Sequence, residues 1–275
     1  MKPYLKRAWA EISLSALEAN IRAISASLQG NTQIMAVVKA DAYGHGEAEI
    51  LQKLTQIGVR YFAVSNLDEA LHVRQYCPDS DVLILGYTPP EYADTLAQNN
   101  IIQGIVSAEY ACTLNARTRT PIRCHVKLDT GMGRIGITGD TPGDCADSIQ
   151  DMSFLRNLKI EGIYTHFAVA DMPDDPEQNA YTEAQKQFIR SVGTELMKRG
   201  VHLKHLHYLN SAGVLYHNDA NSTLARVGII MYGLAPNYPL PVPLDLKPVL
   251  SLKAVISHIK RVQPGTSISY GRTFQ

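Results

Sequence analysis

Short apolar runs recur along this chain at intervals of roughly 20 to 30 residues, the size of one βα unit. Eight runs have the length and composition of buried strands, at 34–38, 61–64, 82–86, 102–106, 123–128, 160–167, 205–209 and 225–233. Eight strands that alternate with helices predict an α/β fold of the (β/α)8 TIM barrel type. An open doubly wound sheet is the alternative, but no G-x-G-x-x-G motif follows the first run.

The segments between these runs have helical patterns. In "EAEILQKLTQIG", Ile50, Leu51, Leu54 and Ile57 fall on one helix face. Asn66 is a good N-cap residue at the start of "NLDEALHVRQY", with an acidic residue three positions later. The segment 182–200 predicts a long helix that ends at a glycine.

The pattern changes after Gly233, where the segment 234–248 holds five of the 14 prolines and resembles a linker. Period-two alternation over 249–262, a turn at "QPGT" and a further run at 267–274 predict the start of a β-rich second domain. We therefore divide the chain into a barrel at 10–240 and a β domain beginning at 241–275, against which a strand at 1–9 packs. A single hairpin is marginal alone, so we expect the chain to be truncated.

Composition narrows the class of protein. Lys and Arg together number 26, as do Asp and Glu, so nothing indicates nucleic acid or an anionic membrane as partner. No signal peptide or membrane-spanning run is recognisable. The four cysteines show no C-x-x-C spacing, which indicates reduced thiols in a cytoplasmic protein without a metal site.

Polar residues follow several of the predicted strands, where a barrel places its active site. Lys39, Lys127 and His166 end the first, fifth and sixth runs, and the last two runs contribute His207, Asn210, Ser211, Arg226, Gly228 and Ile229. An amine at a barrel mouth indicates Schiff-base chemistry, and a nearby phosphate pocket would make pyridoxal phosphate its partner. Equally, the lysine could reach solvent, the histidines could be core residues, and "NSAG" could be an ordinary helix cap.

Six motifs favour the first interpretation. "AVVKADAYGHG", "KLDTGMGRIGI", "EGIYTHFAVAD", "NSAG", "ARVGIIMYGLAP" and "SISYGRTF" occur in the order and approximate spacing of the bacterial alanine racemases. The resemblance covers essentially the whole chain. It implies a fold-type-III pyridoxal phosphate racemase, acting on alanine or serine, with a barrel followed by a β domain.

The resemblance also implies residue roles. Lys39 would hold the cofactor covalently, and Arg226 would face the pyridine nitrogen. Arg134 would lie near the substrate carboxylate, and Lys127 matches a lysine that is often carbamylated in this family. The phosphate pocket would comprise Tyr43, Ser211, Gly228 and Ile229 with Asn210 beside them, while His166 and His207 would orient Arg226 and the tyrosine base.

Tyr270 resembles the family's second catalytic base, which reaches the active site of the other subunit. The resemblance therefore implies a homodimer with shared active sites, interconverting L- and D-alanine for cell-wall peptidoglycan. Three alternatives stay open: a serine racemase of the vancomycin-resistance type, which can carry a membrane domain; a pyridoxal phosphate homeostasis protein without racemase activity; and a fold-type-III decarboxylase. The segment from Val249 to Tyr270 argues against the homeostasis protein.

Overall fold

The computed structural model describes residues 7–236 and 243–275. The chain divides into two units, Ser13–Val249 and a smaller one formed by Met1–Ile12 with Leu250–Gln275. The boundaries differ from the 9/10 and 240/241 divisions expected from the sequence. Val249 stays with the larger unit because its N–H donates to the Tyr232 carbonyl at 3.0 Å, while its carbonyl accepts from the Ser13 N–H at 2.8 Å.

The larger unit is a closed barrel of eight parallel strands, which confirms the predicted fold. In chain order the strands are β2 (Gln33–Val37), β3 (Tyr61–Val64), β4 (Asp81–Ile84), β5 (Ile101–Ile105), β6 (Ile122–Lys127), β7 (Leu158–Tyr164), β8 (His205–His207) and β9 (Leu224–Val227). Their spatial order is β8-β7-β6-β5-β4-β3-β2-β9. The barrel closes between β8 and β9. Here the Thr223 N–H donates to the Leu206 carbonyl and the Arg226 N–H donates to the Leu209 carbonyl, each at 2.8 Å.

Helices connect the strands and cover the barrel. They are α1 (Leu14–Ser27), α2 (Lys39–Gly44), α3 (Glu47–Gln56), α4 (Leu67–Tyr76), α5 (Ala93–Gln98), α6 (Ala108–Arg117), α7 (Pro142–Ser153), α8 (Pro176–Lys198) and α9 (Ser211–Tyr216). In α2, residues Ala40 to Tyr43 have positive φ angles, so this segment is a left-handed turn rather than a right-handed helix. The predicted cap is confirmed, since the Asn66 side chain accepts from the Glu69 N–H at 3.0 Å. The long helix begins earlier than 182, because Asp175 caps it and Pro176 occupies its first turn. Over residues 7–236 and 243–275, no helix combines the length and apolarity required to cross a membrane.

Several predicted strands extend past the observed C-terminal end of the strand, and two of these errors affect the candidate site. β7 ends at Tyr164 rather than at 167, so His166 lies two residues beyond the strand. β9 ends at Val227, where Gly228 (φ −109°, ψ −103°) leaves the extended conformation, and a 3-10 helix follows at Ile229–Tyr232. His166, Gly228 and Ile229 therefore lie beyond the strand ends, whereas Lys127, His207 and Arg226 lie on the last residues of their strands.

The smaller unit contains one two-stranded antiparallel sheet, in which β1 (Ala8–Ile12) pairs with β10 (Leu250–Ala254). The strand predicted at 267–274 is wrong. Positive φ angles at Ser269, Gly271 and Arg272 break the extended chain, and Tyr270–Arg272 forms a short 3-10 helix. Most of the N-terminal strand predicted at 1–9 lies outside the described residues.

The inside of the barrel has an apolar half and a polar half. The apolar half, contributed by β2 to β5 with Leu224 of β9, contains Met35, Val37, Ala63, Leu83, Ile102 and Leu224. The polar half, contributed by β6 to β9, contains the buried residues His125, Lys127, Tyr164, His205, His207 and Arg226. The polar half continues into the candidate site at the mouth.

Candidate active site

A cavity of about 490 Å³ opens at the C-terminal ends of the barrel strands. This volume is typical of a small-molecule or cofactor site. The residues predicted for the site line it, namely Lys39, Tyr43, Lys127, Arg134, His166, Asn210, Ser211, Arg226, Gly228 and Ile229. Two predicted residues do not: His207 is fully buried beside Arg226, and Tyr270 belongs to the smaller unit with a 99% exposed side chain.

Lys39 stands at the entrance to a left-handed turn. Strand β2 ends at Val37, and Ala40, Asp41, Ala42 and Tyr43 then all have φ between 52° and 55°. Such a run of non-glycine residues is strained, by about 1–2 kcal/mol per residue. The turn makes a sharp corner after Lys39, whose amine lies 5.8 Å from the centre of the Tyr43 ring within the same cavity.

Tyr43, Ser211 and Gly228 form a small polar corner of the cavity. The Gly228 N–H donates to Ser211 Oγ at 3.1 Å. A Cβ atom at position 228 would lie 3.0 Å from the Tyr43 hydroxyl, so the absence of a side chain keeps this corner open. Burial raises the pKa of Tyr43, which leaves its hydroxyl protonated and able to donate. Hydroxyl donors around an open backbone corner suit a phosphate group.

Arg226 is the buried cation of the site. Its guanidinium donates to His207 Nδ1 at 2.9 Å, to the His207 carbonyl at 3.1 Å and to the Thr165 carbonyl. Burial lowers the pKa of Arg226 to about 10, so the group stays charged at neutral pH. His166 Nδ1 lies 3.4 Å from the guanidinium, a longer contact than that of His207.

The hydrogen bonds of Arg226 fix the tautomers of two histidines behind it. A guanidinium only donates, so His207 Nδ1 accepts and its proton resides on Nε2. His207 Nε2 then donates to His125 Nδ1 at 3.0 Å. Burial, with Arg226 nearby, holds the pKa of His207 well below its usual range, and burial lowers that of His125 to about 3. Both imidazoles are therefore neutral, and Arg226 retains the positive charge.

Lys127 lies close to Arg226, at the end of β6. Its amine donates to the Leu128 carbonyl at 2.7 Å and lies 5.7 Å from the centre of the Tyr164 ring. Burial, reinforced by the charge of Arg226, lowers the pKa of Lys127 to about 7. A substantial fraction of this lysine is thus a neutral amine at physiological pH.

The loop that carries Arg134 is organised by one carboxylate. Asp129 accepts from the backbone N–H groups of Gly131, Gly133 and Arg134 at 3.1, 3.0 and 3.0 Å. This arrangement fixes the loop while the Arg134 side chain reaches the cavity.

Several residues of the site escaped the sequence analysis. Tyr164 stacks on His207 with ring centres 5.1 Å apart, and Ser65 and Asp171 line the cavity. Period-two alternation along β6 could have drawn attention to His125, which lies two positions before Lys127. Ser65 lies just beyond β3, in a loop without a distinctive motif.

Comparisons with known proteins agree with this geometry. Residues 12–236 match the family described as alanine racemase, N-terminal domain. The alanine racemase of Clostridium tetani is 39% identical over all of this chain and 70% of its own length, and that of Desulfovibrio desulfuricans is 38% identical over 97% of this chain and 71% of its own. A solved alanine racemase of Clostridium difficile 630 superimposes with a TM-score of 0.86 and 34% identity, covering 99% of this chain and 70% of that one.

The fold and the sequence matches define a barrel racemase. The chain belongs to the alanine racemase family, and thus to a family of amino-acid racemases. It spans about 70% of the length of the two curated alanine racemases above, and 37% of an Enterococcus faecalis amino-acid racemase to which it is 37% identical.

Proposed function

We propose that this chain is the cofactor-binding part of a pyridoxal phosphate-dependent racemase that interconverts L- and D-alanine. The observation that carries the proposal is the cavity in which Lys39, the buried Arg226 and the Tyr43–Ser211–Gly228 corner meet. An amine, a cation and a corner lined by hydroxyl groups suit the aldehyde, the ring nitrogen and the phosphate of this cofactor.

The polar groups of the cavity fit pyridoxal phosphate. Tyr43 and Ser211 offer hydroxyl groups, and Gly228 leaves room for a phosphate beside them. Ile229 and Asn210, which are the chain neighbours of Gly228 and Ser211, line the same cavity. When bound, the cofactor supplies an aldehyde, with which the Lys39 amine condenses with loss of water, and an electron sink for negative charge on the substrate's α-carbon.

Racemisation requires a proton acceptor on each face of the substrate's α-carbon. Lys39 would hold or accept the proton on one face. Tyr270 would act on the other face, supplied by a second copy of the chain, so that the functional unit is a homodimer with shared sites. Consistent with a role toward a partner, the Tyr270 side chain is almost fully exposed.

Arg226 would donate a hydrogen bond to the pyridine nitrogen without transferring its proton. Its hydrogen bonds to His207 and Thr165 hold the guanidinium in place. Because a guanidinium does not give up its proton, the ring stays a weaker electron acceptor than a protonated ring would be. We expect this restraint to favour proton return to the α-carbon over side reactions such as transamination.

Lys127 would carry a carbamate. Its lowered pKa, about 7, provides the neutral amine that attacks carbon dioxide, with formation of an N–C bond and loss of one proton. The product is an anion in the same cavity as Arg134. Such an anion would hold the Arg134 guanidinium in position for the substrate carboxylate.

The substrate need not be alanine alone. A solved histidine racemase of Leuconostoc mesenteroides superimposes with a TM-score of 0.85 and 28% identity, and the Enterococcus faecalis relative is named an amino-acid racemase. Alanine is nevertheless the substrate in the names of both curated relatives compared above. We propose alanine as the preferred substrate, serine as the second candidate, and supply of D-amino acid for peptidoglycan in the cytoplasm as the role.

The test measures D/L interconversion of alanine, serine and histidine side by side with the complete polypeptide and added pyridoxal phosphate. We expect alanine to have the highest kcat/KM, and borohydride reduction to fix the cofactor on Lys39. Attachment to another lysine would refute the site, and a higher kcat/KM for serine would refute the substrate. Mixing Lys39→Ala with Tyr270→Phe chains should restore activity if the sites are shared, provided that subunit exchange is shown separately.

A further inference from the structure

The carboxylate of Glu69 joins the ends of two neighbouring barrel strands. One oxygen accepts from the Ala40 N–H at 2.8 Å, directly after Lys39. The other accepts from the Ser65 N–H at 2.8 Å and from the Ser65 hydroxyl at 2.7 Å, just beyond β3. Glu69 itself lies in the first turn of α4, whose N-terminus Asn66 caps. A single side chain thus connects the loop after β2 with the loop after β3.

The Ala40 N–H donates to Glu69 rather than to a strand neighbour because of the conformation of its turn. Ala40 begins the left-handed segment, with φ 52° and ψ 55°, so its N–H lies outside the ladder of strand β2. Inside the turn, by contrast, the Ala42 N–H donates to the Val38 carbonyl at 3.0 Å. The hydrogen bond to Glu69 therefore stabilises the strained turn at its first residue, beside Lys39.

We propose that Glu69 is a positioning residue that fixes the peptide between Lys39 and Ala40 and so directs the Lys39 amine into the cavity. The proposal rests on the proposed function in so far as the amine reacts with pyridoxal phosphate. The strap itself, defined as Glu69 with its bonds to Ala40 and Ser65, is a property of the chain without cofactor.

The chemistry of the strap requires a carboxylate. Two backbone N–H groups, on Ala40 and Ser65, point at different oxygens of Glu69. A glutamine has one acceptor oxygen, so its NH2 group would face one of these donors. Burial raises the pKa of Glu69, but hydrogen bonds from Ala40, Ser65 and Asn66 outweigh this effect and leave the pKa lowered, so the group is ionised at neutral pH.

The first measurement needs no cofactor. Amide hydrogen exchange of Ala40, followed by NMR in the complete polypeptide, should be slow in the wild type and at least about tenfold faster in Glu69→Gln. Asp68→Asn is the matched control, since Asp68 lies in the same first turn of α4, is exposed, and loses the same charge. Ser65→Ala should leave the Ala40 amide protected, because the bond from Ala40 to Glu69 remains. Equal exchange rates for Ala40 in wild type and Glu69→Gln would overturn the proposal.

The second measurement distinguishes a loss of Lys39 positioning from a general disruption of the cavity. The rate of covalent attachment of pyridoxal phosphate to Lys39 is followed by absorbance, and binding of pyridoxamine 5′-phosphate, which cannot bond to lysine, is followed by fluorescence. Glu69→Gln should slow attachment about 10- to 100-fold while changing pyridoxamine phosphate affinity less than about twofold. Asp68→Asn should change neither.

The outcomes distinguish this proposal from the proposed function. An equal loss of attachment and of pyridoxamine phosphate binding would mean that Glu69 only maintains the fold, and would overturn the positioning role. If the wild type attaches no pyridoxal phosphate, the proposed function fails, and faster exchange at Ala40 in Glu69→Gln still establishes the strap. Should Glu69→Gln fold poorly, Glu69→Asp provides the second variant: its shorter side chain keeps the charge but cannot span both donors, so it should also slow attachment.

Discussion

Both halves of the barrel interior are filled with buried side chains, but the side chains of one half are apolar and those of the other half are polar and hydrogen-bonded. The apolar half fills its share with residues such as Met35 and Leu83, both fully buried. The polar half fills its share with His125, His207 and Arg226, whose hydrogen bonds pass from one side chain to the next. Removal of an apolar side chain leaves a void, whereas removal of a polar one leaves donors or acceptors without partners.

The polar half stabilises the fold less than the apolar half does, because its buried polar groups must lose their hydration. A buried guanidinium surrounded by carbonyl and imidazole groups is expensive to desolvate, and its pKa is lowered accordingly. Glycine supplies the space for the polar side chains: a Cβ at Gly162 would lie 2.9 Å from the His205 Cβ and 3.1 Å from His125 Cδ2. The apolar half is thus expected to determine stability, and the polar half activity.

The largest effect should come from Arg226→Leu. The change leaves His207 Nδ1 and the Thr165 and His207 carbonyls without their donor, and removes the group proposed to face the cofactor ring. Loss of a preorganised donor typically lowers kcat about 10²- to 10³-fold, and we expect a loss of this size in the racemisation assay. Arg226→Lys keeps the charge and should recover part of the activity. A kcat within about threefold of wild type in Arg226→Leu would contradict the assignment.

Met35→Ala makes the corresponding change in the apolar half. Met35 is fully buried, so its truncation should lower the free energy of unfolding by about 2–5 kcal/mol in urea titrations. Activity per folded molecule should change little, because Met35 does not line the cavity. Met197→Ala, at a 61% exposed position, is the control and should cost less than about 0.5 kcal/mol. A large loss of kcat in folded Met35→Ala would contradict the expectation that the apolar half determines stability and the polar half determines activity.

The sequence predicted this barrel well where periodicity decides the structure. The buried run at 61–64 was located correctly because a buried parallel strand is continuously apolar. The mouth was predicted less well. "ADAY" contains no glycine or proline, so the local sequence does not predict four left-handed residues here. Their conformation depends on contacts with residues distant in sequence, such as the hydrogen bond from Ala40 to Glu69.

The candidate site shows the same limit. Lys39, Lys127 and Arg226 could be proposed from their motifs and strand ends. Glu69 and Tyr164 could not, because their importance follows from partners that are distant in sequence: Ala40 for the former and Leu85, whose carbonyl accepts from the Tyr164 hydroxyl at 3.1 Å, for the latter. A helix pattern accounts for Glu69 only as a residue near an N-cap.

A smaller effect is expected where the two halves meet. Gly104 on β5 faces Tyr164, and an added Cβ would lie 2.7 Å from both the Tyr164 hydroxyl and the Ile84 carbonyl. Gly104→Ala should therefore cost about 1–3 kcal/mol of unfolding free energy through overpacking. Gly143→Ala is the control, because its nearest neighbour, Thr141 Oγ1, would be 3.4 Å from the new Cβ. Equal stabilities of the two variants would show that Tyr164 can move away without cost.

The effect that is smallest near neutral pH is a pH dependence of stability, to which only the polar half should contribute. The pKa of Lys127 is about 7 in the folded chain against 10.5 for a free lysine, because burial disfavours its charged form. Between these values the unfolded chain binds more protons than the folded one, so stability rises with pH across this window and is constant below it. In buffer free of carbon dioxide, the unfolding free energy of wild type relative to Lys127→Met should rise by roughly 1.4 kcal/mol per pH unit above pH 7.

The matched control for this measurement is Lys198→Met, whose side chain is 66% exposed on α8. Its difference from wild type should stay flat over the same range, since the exposed amine of Lys198 stays hydrated in both the folded and the unfolded chain. A flat difference for Lys127→Met as well would mean that the Lys127 amine keeps its hydration in the folded chain. It would also remove the source of neutral amine on which carbamate formation depends. A rising difference that bicarbonate then increases further at fixed pH would instead support modification of Lys127, because a ligand that binds only the folded state adds to its stability.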